Sequence, residues 1–177
     1  MLRATCHVGR LVELRLAGSP TIADAEQFER DAHAAIAQGV RDNKKMVVIC
    51  SDLRETHVFS PEVTERLIHT MRGANPNLER HAMLGNGSAL FSLQMARLIR
   101  EAAADTRRKL FTTMEPLVAW LDELLTLGER ARMRQFFADG DMAPLVPDTT
   151  ESTKTRTDGS RPAEIKPRGP ASRSRLR

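Results

Sequence analysis

In "LVELRL", Val12, Leu14 and Leu16 fall on one side of an extended chain and Glu13 and Arg15 on the other. A period of two predicts a strand with one face in the core and one in water. "ATCHV" before it is also extended in character, and Gly9-Arg10 between them suits the turn of a hairpin. The period then changes. In "SPTIADAEQFERDAHAAIAQG", Ala25, Phe28, Ala32, Ala35 and Ile36 recur every three or four residues. This predicts a helix capped by Thr21 and stopped at Gly39.

"KKMVVIC" is continuously apolar after its lysines, as in a central strand covered on both faces. Ser60-Pro61 then predicts a helix start, with the serine as cap and proline in the first turn. Val63, Leu67, Ile68 and Met71 form its apolar stripe. "HAML" is a short strand, "GNGS" a turn with Ser88 as cap, and Leu90, Phe91, Met95, Leu98, Ile99 and Ala102 the stripe of a third helix. "KLFT" is the last strand. A helix follows it, capped by Thr113, with Leu117, Trp120, Leu121, Leu124 and Leu125 turned inward.

The order ββαβαβαβα predicts an α/β fold: a mainly parallel sheet with an N-terminal hairpin and four flanking helices. It occupies residues 1–126. Residues 127–143 read as an accessory helix. Residues 144–177 hold five prolines among Ser, Thr and charges, and are expected to be a disordered basic tail.

Charge follows the same division. The formal net charge of +4 resides in the segment from Asp148 to Arg177, which has eight Lys/Arg and four Asp/Glu. The body is neutral, so the high pI of about 9.6 describes the tail. With no tyrosine, and one tryptophan and six phenylalanines mostly on core stripes, a stacking platform for nucleic acid is not expected. Neither is a membrane span, because "MVVIC" is the longest strongly apolar strand. Cys6 and Cys50 read as reduced thiols, which suits a cytoplasmic protein. His7, His33, His57, His69 and His81 are dispersed without metal-ligand spacing, so no metal and no cofactor are expected.

Three stretches carry candidate chemistry. "SDLRETHVFSPE" places Asp52, His57 and Ser60 within nine positions. No GxSxG elbow accompanies them, and neighbours in one loop rarely reach triad geometry. Backbone anchoring by Asp52, a surface His57 and a capping Ser60 are the expected roles, and an enzyme is not. Gly85, Asn86, Gly87 and Ser88 resemble a phosphate-cradling turn, although Leu90 stands where a third glycine belongs; a plain turn and an anion or ligand loop both remain open. Phe136 and Phe137 in the accessory helix either pack back on the domain or form a protein interface.

"LVELRLAGSPTIADAEQFE", "MVVICSDLRETHVFSPEVTERL", "HAMLGN" and "KLFTTMEPLVAWL" together resemble the STAS family of sulfate-transporter and anti-sigma-factor-antagonist domains, and its SpoIIAA-like branch in particular. The resemblance covers roughly residues 4–126. It implies a non-catalytic module that binds a protein partner, such as a kinase-type regulator. It also implies a switch serine, preceded by aspartate, at the start of the second helix. Here Ser60 stands at the aspartate and Pro61 at the serine, which leaves Ser60 as the candidate phosphorylation residue, one position early. The expected partner interface comprises Asp52, His57, Ser60, Glu62, Phe136 and Phe137. The alternative is a module holding a lipid-like ligand, an anion or a nucleotide.

Overall fold

The computed structural model describes residues 1–103 and 106–141, so the readings made for the tail lie outside the described residues. Five strands, β1 (Leu2–Val8), β2 (Leu11–Leu16), β3 (Val47–Leu53), β4 (Leu78–Gly85) and β5 (Arg108–Phe111), form one sheet in sequence order. β1 and β2 are the antiparallel hairpin, and β2 to β5 run parallel.

Because the strand order never reverses, crossovers of one hand place their helices on one side of the sheet. Helices α1 (Ile22–Asn43), α2 (Pro61–Ala74) and α3 (Ala89–Glu101) accordingly share a core with Val12, Leu14, Ile49 and Met83. A single 3-10 turn, Asn75–Asn77, ends the α2 connection. Helices α4 (Met114–Asp122) and α5 (Leu127–Asp141) cover the opposite face, where Leu117, Leu121, Met133 and Phe137 pack on Leu11, Val48 and Cys50. β3 is buried along its whole length, its apolar run Val47–Cys50 as expected and Ser51 and Asp52 through polar partners.

Local signals hold at several ends. Thr21 and Asp24 form a reciprocal capping box on α1. Ser60 caps α2 with Pro61 in its first turn. Ser88 and Thr113 occupy cap positions without a side-chain cap bond. Gly39 is not a stop: α1 continues to Asn43 and ends at Lys44 in the left-handed conformation. Gly39 serves close approach instead, since a β-carbon there would stand 2.9 Å from Val47 Cγ1.

The polar face of β2 departs from its pattern. Glu13 is 2% exposed and lies beneath α5, where Arg132 donates two hydrogen bonds of 2.6 Å to its carboxylate. A matched guanidinium makes an alternating strand compatible with burial on both faces. α5 therefore forms, with α4, the second covering layer of the sheet. Its start carries a second capping box: Thr126 N–H donates to Glu129 Oε2 at 2.8 Å, and Glu129 N–H to Thr126 Oγ1 at 3.4 Å. Glu129 Oε1 also accepts from the N–H of Arg10 at 2.8 Å, which ties α5 to the hairpin turn.

Candidate functional site

Parallel strands place all their exit loops at one end of the sheet, here the loops that follow β2, β3, β4 and β5. The β3 exit is the most tightly held. Thr56, 1% exposed, donates its hydroxyl to Leu16 O at 2.6 Å. Gly18 N–H donates to Glu55 O, and His57 N–H to Gly18 O. Asn86 Nδ2 donates to Thr56 O at 2.8 Å. Gln94 on α3 clamps Phe59 from both sides, accepting from its N–H at 2.9 Å and donating to its carbonyl at 2.8 Å. Phe59 also packs against Phe91, with ring centroids 6.1 Å apart. Three neighbouring loops thus form one fixed surface.

What that surface presents is partly apolar. Ile22, Val58, Leu90 and Leu93 are 41%, 41%, 63% and 71% exposed, whereas the adjacent Phe59, Val63 and Phe91 are buried. His57 and Glu62 are exposed as well, and the His57 ring lies 3.3 Å from Ser19 Oγ. Ser60 Oγ accepts from Val63 N–H at 3.3 Å. These residues lie where the sequence places them.

Asp52 does not. It is 5% exposed and points under α5, where Arg54 holds it at 2.9 Å and Arg15 lies 3.6 Å away. The same arginines donate to carbonyls in the C-terminal half of α5, Arg54 to Phe137 O at 2.7 Å and Arg15 to Phe136 O. Asp52 thus orients the two arginines that bond α5 to the sheet. Phe136 and Phe137, 6% and 1% exposed, pack in the core beneath that helix, edge to face with centroids 5.0 Å apart. Asp52, Phe136 and Phe137 therefore leave the expected interface, because α5 packs on this sheet face and buries all three. Among the described residues, no hydrogen bond joins Asp52, His57 and Ser60 to one another.

The turn after β4 is also used internally. Gly87 has φ +78°, which favours glycine, and Asn86 Oδ1 accepts from Ser88 N–H at 2.9 Å. Gly85 is buried, and a β-carbon there would stand 3.2 Å from Leu110 Cδ1. The amide of Asn86 links this turn to the β3 exit.

A separate polar group, missed in the sequence, lies inside the helical side of the sheet. Ser51 Oγ and His81 Nε2 are 2.7 Å apart and buried, beside Arg108, which donates to Met71 O at 2.7 Å. Burial, and then the Arg108 charge, lower the His81 pKa to about 3, so the imidazole is neutral. These groups border a cavity of about 60 Å³, otherwise lined by side chains such as Leu14, Phe28 and Met95. That is less than half of the roughly 150 Å³ of an engineered apolar cavity able to hold benzene.

Cys50 is buried, and burial raises its pKa well above the ordinary thiol value; Cys6 is partly exposed, and burial also raises it. Among the described residues, no group of three or more His, Cys, Asp or Glu is placed to hold a metal ion, and no helix is long and apolar enough to cross a membrane. No protein-family model matches the chain, and no curated protein matches it.

Proposed function

We propose that this protein is a non-catalytic regulatory module of the STAS type that docks another protein at the C-terminal ends of its parallel strands. The observation that carries the reading is the exposure of Val58, in a loop held by hydrogen bonds, and of Leu90 and Leu93 in the first turns of α3, whose Gln94 bonds that loop. Holding large apolar side chains in water on a fixed frame is the usual signature of an interaction surface. The hairpin-first, otherwise parallel sheet and the sequence resemblance support the family assignment.

Two further points favour a protein over a small ligand. Ligand crevices in open α/β sheets form where the strand order reverses, and this order does not reverse. The interior cavity is small, and its Ser51–His81 pair is buried. Ser60 is the proposed phosphorylation residue. A phosphate there would sit at the N-terminus of α2, where the helix dipole favours negative charge.

Affinity purification of the full chain, followed by mass spectrometry, tests the reading. A protein of the kinase-type regulator class is expected with the wild type and not with Leu90→Asp/Leu93→Asp. Recovery of lipid or nucleotide without a protein would overturn it. Ser60→Asp is expected to change that recovery, and unchanged recovery would remove the switch from the proposal.

A further inference from the structure

The docking surface also carries charge, and its exposed charged side chains are acidic. Its apolar members have carboxylates beside them: Asp24 in the turn that begins with Ile22, Glu55 in the loop of Val58, and Glu62 at the start of α2. All three residues are exposed. Within 17–24, 54–62 and 85–93 the only Lys or Arg is Arg54, and it is turned toward Asp52 and Phe137 O on α5. The helix N-termini at this end oppose the carboxylates, but each is worth only about half a positive charge. The Met1 ammonium, which donates to Ala17 O at 2.8 Å, acts on Asp24, so Glu55 and Glu62 are the carboxylates on which a partner's charge would act.

We infer, building on the function proposed above, that the partner presents a cationic amphipathic segment, with apolar side chains for Val58, Leu90 and Leu93 and Lys or Arg for Glu55 and Glu62. Charge complementarity selects this occupant. A segment with acidic flanks would meet like charge at the rim, which costs affinity and slows encounter. The same argument disfavours nucleic acid and anionic membranes, whose phosphates would face the carboxylates. The apolar side chains supply the desolvated centre and the carboxylates the rim, in the usual arrangement of an interface.

Short labelled amphipathic peptides test the inference with the full chain. One has a leucine face and a lysine face; its twin replaces every lysine with glutamate. Fluorescence anisotropy is expected to show binding of the lysine peptide only. Raising the ionic strength should weaken it, and Glu55→Lys/Glu62→Lys should weaken it about tenfold. Leu90→Asp/Leu93→Asp should abolish it. Asp24 is left intact because it caps α1, and circular dichroism checks that each variant is folded. Equal binding of both peptides, or indifference to the glutamate reversals while the leucine variants abolish binding, overturns the cationic preference and leaves the docking surface standing. Binding that survives the leucine variants overturns the inference and the proposed function together. Binding of neither peptide overturns the inference.

Discussion

Arg132 on α5 grips Glu13 on β2 through two hydrogen bonds of 2.6 Å, across 119 positions of sequence. Glu13 is almost wholly shielded, so removing its partner strands a carboxylate in the core. Arg132→Ala is expected to cost about 3–5 kcal/mol in urea unfolding. Replacing the pair together, Glu13→Leu/Arg132→Met, should recover most of that. A loss under 1 kcal/mol for the single variant would show that α5 does not depend on the pair.

His81 makes a pH prediction. Its folded pKa of about 3 lies below the unfolded value near 6.5, so the unfolded chain binds the extra proton. The stability this histidine contributes is complete above pH 6.5 and is lost as pH falls toward 3. By pH 3.5 the loss is of order 4 kcal/mol. His81→Gln should flatten the slope of stability between these limits relative to wild type. Parallel slopes would mean that His81 titrates normally.

Glu129 acts in a lower range. Burial pushes its pKa up, but the N–H groups of Thr126 and Arg10 outweigh burial and hold it below the ordinary carboxylate value. Its contribution is therefore present above the unfolded pKa, near 4.3, and disappears as pH falls through the folded one. Comparing acid-unfolding curves should show Glu129→Gln less stable at neutral pH and converging on wild type in acid.

The same carboxylate explains Gly9. That residue has φ +56°, and a β-carbon on it would collide with Glu129 Oε1. Gly9→Ala should cost roughly 2–4 kcal/mol, from left-handed strain and the displaced cap. Thermal melts should show a smaller penalty for Gly9→Ala in a Glu129→Ala background, because the collision is then gone. Identical penalties would assign the whole cost to the backbone.

Ser60 separates capping from signalling. Ser60→Ala should lose about 1 kcal/mol, and Ser60→Asp less than half of that, because aspartate also accepts at the cap and suits the dipole. Chemical denaturation measures both. Equal losses for the two variants would show that the Ser60 bond to Val63 is not what starts α2.

The sequence by itself determined the period of each segment, and with it the order of strands and helices. Val12, Leu14 and Leu16 mark β2, and the Thr21 and Ser60 caps mark the starts of α1 and α2, because these signals act between residues close in the chain. It also placed His57, Ser60 and Glu62 on the exit from β3. Tertiary structure decided what each face meets. The alternation in β2 carries no sign of Arg132, so Glu13 reads as wet until α5 is seen to cover it. Asp52 and His57 stand five positions apart, yet one lies under α5 and the other faces water. Ser51 and His81 meet because β3 and β4 are neighbours. Periodicity reports which side of an element is apolar. Which distant side chain arrives to pair a buried charge is fixed only when the layers pack.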